Sequence, residues 1–168
     1  MGQATQSTAL LGLLQELHDR LSQCDDGAVA DYIPELAKAD PSDFGIVVAI
    51  ADGRIYEIGD TDKPFTIQSI SKPFVYGLAL QELSHEHMQR KVGVEPSGEA
   101  FNAISLDPET GRPRNPMINA GAIATSAQIQ QLAGPRAEGL LLEFFSQLAG
   151  RELTIDQEVY ASERDTGH

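Results

Sequence analysis

Leu10, Leu13, Leu14, Leu17 and Leu21 recur at the spacing of one helix face. With a cap at Ser7 or Thr8, the pattern predicts an amphipathic helix from Thr8 to about Gln23, ended by Asp25-Asp26-Gly27. His18 lies within it, and a lone histidine on such a helix reads as a surface or structural residue. Val29 to Ala37 is a short irregular piece with a helical turn after Pro34. Its Tyr32 is either core or ligand-facing, and the intermediate burial of tyrosine favours core packing on local grounds. Gly45-Ile46-Val47-Val48-Ala49-Ile50-Ala51 is apolar and β-branched, and Arg54-Ile55-Tyr56-Glu57-Ile58 alternates. Asp52-Gly53 between them is a two-residue turn signal, so the three segments predict a β-hairpin.

Gly59-Asp60-Thr61-Asp62 turns the chain toward Phe65-Thr66-Ile67-Gln68-Ser69-Ile70-Ser71-Lys72-Pro73, where a β-rich segment gives way to a helix. Pro73 belongs in a first turn, which starts that helix between about Ile67 and Ser71. Phe74, Leu78, Ala79 and Leu83 carry it to about Gln89, with His85 and His87 near its C-terminal end, where the helix dipole favours a protonated imidazole. Glu95-Pro96-Ser97-Gly98 opens a long irregular segment to Pro116, of a length that often has a function. The small residues of Asn115-Pro116-Met117-Ile118-Asn119-Ala120-Gly121-Ala122-Ile123 begin another helix. Asn119 is either its cap or an amide offered to a ligand. Glu138 to about Leu148 forms a further amphipathic helix, with Leu141, Leu142, Phe144, Phe145 and Leu148 as core candidates. There is no internal repeat or low-complexity tract, and Gly134-Pro135 is the other evident linker.

A chain of 168 residues is one domain or part of a larger one, able to bury roughly 70% of its unfolded surface. Its formal net charge of −13 argues against nucleic acid or an anionic membrane as partner and favours a small molecule. The single Cys24 cannot close an internal disulfide, and no cysteine–histidine spacing suggests zinc. No apolar run reaches the roughly 20 residues of a membrane span, and the first residues lack the basic flank and apolar stretch of a signal peptide. Met1-Gly2 does not make a myristoylation site, because Gln6 stands where Ser or Thr is needed. The expected location is the cytoplasm.

The candidate chemistry sits at Ser69 and Lys72. Three residues apart at a helix start, they share one face, one turn apart. A serine hydroxyl is a poor nucleophile at neutral pH, and an unprotonated lysine beside it can take its proton if burial lowers the lysine pKa. Taken alone, Ser-x-x-Lys is also compatible with a capping Ser69 or Ser71 and a solvated first-turn lysine.

The ordered set of motifs carries more than any member of it. Tyr32-Ile33-Pro34-x-Leu36-Ala37, the Asp52-Gly53 turn, Gly59-Asp60-Thr61, Phe65-x-Ile67-Gln68-Ser69-x-x-Lys72, Glu95-Pro96-Ser97-Gly98, Phe101-Asn102, Asn115-Pro116-Met117-x-Asn119-Ala120-Gly121-Ala122-Ile123 and Tyr160-x-Ser162-Glu163 follow one another. Together, from about Val29 to His168, they resemble the serine-dependent glutaminases. The resemblance implies an α+β fold of the serine β-lactamase or transpeptidase type, hydrolysing L-glutamine to L-glutamate and ammonia without metal or organic cofactor. It implies Ser69 as nucleophile with its backbone N–H in the oxyanion hole, Lys72 as general base, and Tyr32, Gln68, Ser69, Asn119 and Glu163 as glutamine contacts. A substrate with an α-ammonium and an α-carboxylate suits an anionic Glu163 and a neutral donor at Asn119.

By the same resemblance, residues 1–28 are an N-terminal helix and 29–168 the N-terminal part of a catalytic domain. The family continues beyond Thr166-Gly167-His168 with about as many residues again. That part supplies a second substrate-binding asparagine, tyrosines beside the Ser-Lys pair, the remaining strands and the other oxyanion N–H. The expectation is therefore a partial site with little activity alone, and a homodimer or homotetramer at family length. Two other readings share parts of the pattern: a penicillin-binding or β-lactamase-type serine acyl transferase, and a non-catalytic fragment that binds a partner or glutamine. Tyr32-Ile33-Pro34 and Asn115-Pro116-Met117 have no reason to accompany a β-lactamase.

Overall fold

The computed structural model describes residues 2–96, 98, 100, 102 and 105–166, and for residues 2–8 the backbone alone. Ser97 and Phe101 of the motifs above, and Gly167 and His168, lie outside the described residues. Two compact units form, one from the segments 1–65 and 156–168, the other from 66–155.

In the first unit, α1 runs Gly2–Leu21, β1 Gly45–Ala49, β2 Ile55–Gly59 and α6 Gln157–Thr166, with a single 3-10 turn at Leu36–Lys38. Helix α1 begins six residues before the expected start. Residues 2–7 lack apolar periodicity and so gave no signal, but Gln3, Ala4 and Gln6 are compatible with helix and nothing among them breaks it. It also ends two residues early, in a turn where Ser22 N–H donates to the His18 carbonyl at 2.9 Å. Leu14 is buried, and α1 packs along the hairpin. There the His18 ring stacks on Phe44 with centroids 5.1 Å apart, and His18 Nε2 lies 3.3 Å from the Phe44 carbonyl oxygen. His18 is thus a structural residue.

Strands β1 and β2 pair antiparallel with Ile46 opposite Ile58 and Val48 opposite Tyr56. These four are buried or half-buried, while Val47 and Ile55 on the other face are 54% and 60% exposed. The connection is longer than the two-residue turn expected. Gly53 N–H donates to Ile50 C=O at 2.9 Å, Ile50 N–H donates to Arg54 C=O at 3.0 Å, and Gly53 takes φ +89. A three-residue loop with glycine in the left-handed position serves the hairpin twist equally well. Asp52 locks it, accepting from Arg54 N–H at 3.1 Å and Arg54 Nη2 at 2.6 Å. Asp156 caps α6, its Oδ1 accepting from Glu158 and Val159 N–H, both at 3.0 Å.

The second unit is helical: α2 Ser71–Leu83, α3 His85–Lys91, α4 Asn119–Ala133 and α5 Ala137–Ala149. Leu78 and Ala79 of α2, Met88 of α3, Val92, Ile129 of α4 and Ala137 of α5 form its core, and Leu141 and Phe144 pack against them. Of the α5 core candidates, Leu142 and Phe145 are half-buried and Leu148 is 55% exposed, because it falls on the last turn beyond the core. The helix expected to continue to Gln89 is instead broken at Ser84, which adopts φ 74 and ψ 152. Its hydroxyl accepts from His87 N–H at 3.4 Å and caps α3. His85 and His87 therefore lie in the first turn of a new helix and not near the C-terminal end of the expected one. His87 Nε2 instead meets the buried Gln128 Oε1 at 2.9 Å.

The expected irregular segment has bonds of its own. Gly93 N–H donates to Pro113 C=O and Glu95 N–H to Arg114 C=O. Leu106 bridges Pro113, and Asp107 Oδ1 closes the turn by accepting from Thr110 N–H at 2.8 Å.

Candidate active site

Gln68 precedes the candidate nucleophile with φ +42, a left-handed conformation uncommon for a residue with a side chain. A 3-10 turn over Gln68–Ile70 then leads directly into α2. Ser71 Oγ donates to Gln68 C=O at 2.7 Å and Gln68 Nε2 to Thr66 Oγ1 at 3.4 Å, which fixes the strained residue from both sides. Neither serine caps α2: the capping position is Ile70, where no side-chain bond is made, and the Ser71 hydroxyl donates backwards instead of accepting from a first-turn N–H. Ser69 is exposed, and Lys72 follows one turn later, half-buried.

The lysine is not a solvated first-turn residue. Its Nζ donates to Asn119 Oδ1 at 2.7 Å and to the Met117 carbonyl at 3.2 Å. Burial pushes the Lys72 amine below its ordinary value of 10.5. A neutral amine has two N–H bonds and one lone pair. The two carbonyl-type oxygens can take both N–H bonds of the neutral form.

Asn119 is the first residue of α4 and does not cap it; the capping position is Ile118, which makes no side-chain bond there. The Asn119 side-chain oxygen is engaged by Lys72 instead of by a backbone N–H of the first turn. The segment before α4 is held by Asn115, a residue that sequence reasoning placed in a motif without a role. Asn115 Oδ1 accepts from Met117 N–H at 3.0 Å and Ile118 N–H at 3.2 Å, and Nδ2 donates to Glu95 C=O at 3.1 Å. The Asn-Pro pair was its available signal, since asparagine before proline favours such a side-chain turn.

The second unit thus gathers Gln68, Ser69, Lys72 and Asn119. Tyr32 and Glu163 belong to the first unit. Tyr32 is 60% exposed, contrary to the core packing favoured for it, and the neighbouring Ile33 is buried instead. Glu163 is exposed on α6. Among the described residues, no cluster of three His, Cys, Asp or Glu side chains is arranged to hold a metal ion, and no helix is long and apolar enough to cross a membrane.

The described elements are those of an α+β protein in which Ser69 and the half-buried Lys72 stand one turn apart where α2 begins. The Glutaminase family profile matches residues 27–168, and the chain belongs to that family. It is 47% identical over 159 residues to a glutaminase of Nostoc sp. (strain PCC 7120), covering 95% of this chain and 48% of the relative. To the glutaminase of Microcystis aeruginosa it is 51% identical over 155 residues, 92% of this chain and 46% of the other. A solved structure of Mglu in its L-glutamate-binding form superposes with a TM-score of 0.79 at 46% identity, over 91% of this chain and 35% of that one. The probable glutaminase ybaS gives a TM-score of 0.84 at 32% identity, over 94% and 52%. The chain spans about half the length of the curated relatives it matches.

Proposed function

We propose that this chain carries the serine–lysine half of a glutaminase site that hydrolyses L-glutamine to L-glutamate and ammonia. The supporting observation is the Lys72 amine, half-buried one turn from the exposed Ser69 and tied to Asn119 and the Met117 carbonyl, in a chain of the glutaminase family. Ser69 Oγ attacks the side-chain amide carbon of glutamine while its proton passes to Lys72. The tetrahedral adduct then collapses, the C–N bond breaks, and the nitrogen leaves as ammonia with the proton returned from Lys72. Water, deprotonated by the same amine, cleaves the γ-glutamyl ester and restores Ser69. The Ser69 backbone N–H is assigned to the oxyanion hole, where one donor is worth about 10²–10³ in kcat.

Asn119 Nδ2 is assigned to the α-carboxylate and Glu163 to the α-ammonium, with Gln68 and Tyr32 as further contacts; for Tyr32 and Glu163 the support is the family resemblance alone. The solved Mglu in L-glutamate-binding form supports an amino-acid ligand of this kind for a relative. The reading includes a β-lactamase-like fold, a cytoplasmic location, homodimers or homotetramers, and the chain as an N-terminal helix (1–28) followed by the first part of a catalytic domain (29–168). The remaining groups are assigned to residues outside this sequence, in keeping with the length of the relatives.

The test is to quench glutamine turnover with acid, in a protein carrying this chain at its relatives' length, and to map adducts by mass spectrometry. A glutamyl ester on the peptide containing Ser69 is expected. Turnover with an adduct on another residue, or acylation of Ser69 by a labelled penicillin with none by glutamine, would overturn the reading.

A further inference from the structure

We propose that Asn115 is a positioning residue for Lys72, an inference that rests on the glutaminase reading of the Ser69–Lys72 pair. Two oxygens that accept from Lys72 Nζ, the Met117 carbonyl and Asn119 Oδ1, lie within four residues of Asn115. They are 45 and 47 residues from Lys72 in the chain, so their place beside the amine depends on how the entry to α4 is held.

Three observations give that task to Asn115. Its Oδ1 takes the N–H of Met117 and of Ile118, which fixes the peptide planes on either side of the Met117 α-carbon, the second of which carries the Met117 carbonyl, and sets the entry angle of α4. Its Nδ2 anchors this turn to the Glu95 carbonyl, in a segment already paired to the chain just upstream through Glu95 N–H and Arg114 C=O at 3.1 Å. The Asn115 carbonyl is also pressed against α4, since a Cβ built on the buried Gly121 would stand 1.9 Å from that oxygen. The first turn of α4 therefore rests directly on the Asn115 peptide. Ile118 supplies no side-chain cap there, which leaves the turn-holding bonds to Asn115.

Asparagine at this position has two separable parts. Its oxygen orients Met117 and Ile118, and its NH₂ group ties the turn to Glu95. Aspartate retains the first and loses the second, whereas alanine loses both. The experiment compares the chain with Asn115→Ala and Asn115→Asp by competitive labelling with an amine acylating reagent. Lys72 is read against Lys38, Lys63 and Lys91 in the same molecule by peptide mass spectrometry, on the alkaline plateau of each rate profile so that protonation does not enter. Thermal denaturation is followed in parallel.

In Asn115→Ala, Lys72 released from its oxygen acceptors is expected to label roughly three- to tenfold faster relative to the other lysines, the range set by one lost hydrogen bond. Asn115→Asp is expected to restore the slow rate while both variants melt earlier. Should alanine prevent folding, Asn115→Ser takes its place, its shorter hydroxyl giving an intermediate rate. An unchanged Lys72 rate in Asn115→Ala, or equal acceleration in the alanine and aspartate variants, would overturn the proposal and leave Asn115 a stabilising residue only. The readout needs no turnover, so this pattern in the chain, together with no glutamine hydrolysis by the folded protein at its relatives' length, would remove the glutaminase reading and keep the positioning role.

Discussion

Lys72 owes its proposed role to opposing demands on one amine. Two oxygens within hydrogen-bond reach favour the charged form, and burial disfavours it; burial prevails, and the pKa falls below 10.5. A base acts in its neutral form, so activity should rise with pH through the Lys72 pKa and level off before the ordinary lysine range. A profile of kcat/KM against pH checks this, and a rising limb centred at or above 10.5 would contradict it. The sign for stability follows the same shift. Below the lowered folded value the buried charge costs stability in full, and the cost fades as pH climbs from that value toward the unfolded one. Lys72→Arg keeps the charge but cannot release a proton, and is expected to lower kcat by about 10²–10⁴ while the melting temperature changes little. Sequence showed the serine and the lysine because one helical turn joins them. It could not show Asn119 Oδ1 as the lysine's partner, because nothing local links positions 47 apart.

At the scale of elements, the legible features were those with a strong period. The β1–β2 hairpin and α5 were readable from alternation and from leucine–phenylalanine spacing, and the start of α2 from Pro73. The breaks were not readable, because they interrupt no hydrophobic period and no glycine or proline marks them. Ser84 sits where φ 74 and ψ 152 suit glycine, inside a continuous helical pattern, and Gln68 takes φ 42 with no glycine or asparagine to announce it. Such conformations cost about 1–3 kcal/mol at a residue with a side chain. Ser84→Gly is expected to relieve more strain than its lost cap contributes, raising stability by about 1 kcal/mol in a denaturant titration; a lower midpoint would show that the cap dominates. At the other extreme, Gly121→Ala places a methyl 1.9 Å from the Asn115 oxygen. It should destabilise the chain by about 3 kcal/mol or more, in the range of overpacked cores, and a cost under 1 kcal/mol would mean that α4 can slide without penalty.

For the molecule as a whole, the ordered motifs selected the family, which the profile over residues 27–168 matches. A charge of −13 opposes self-association through repulsion that salt screens beyond about 8 Å at physiological ionic strength. The proposed oligomer is tested by sedimentation at the relatives' length: a dimer or tetramer is expected, and a monomer at every ionic strength would remove the oligomer from the proposal. Tyr32 and Glu163 show where sequence ran ahead of structure. Their motifs mark them as glutamine contacts by resemblance; they belong to the unit formed by segments 1–65 and 156–168, and Ser69, Lys72 and Asn119 to the other. The central claim is that Ser69 does the chemistry, and glutamine-dependent ammonia release tests it most directly. A protein carrying this chain at its relatives' length is compared with the same protein bearing Ser69→Ala. Release that is lost in the variant while its melting temperature is kept is the expected result; equal release from both, or none from the folded parent, would contradict the account.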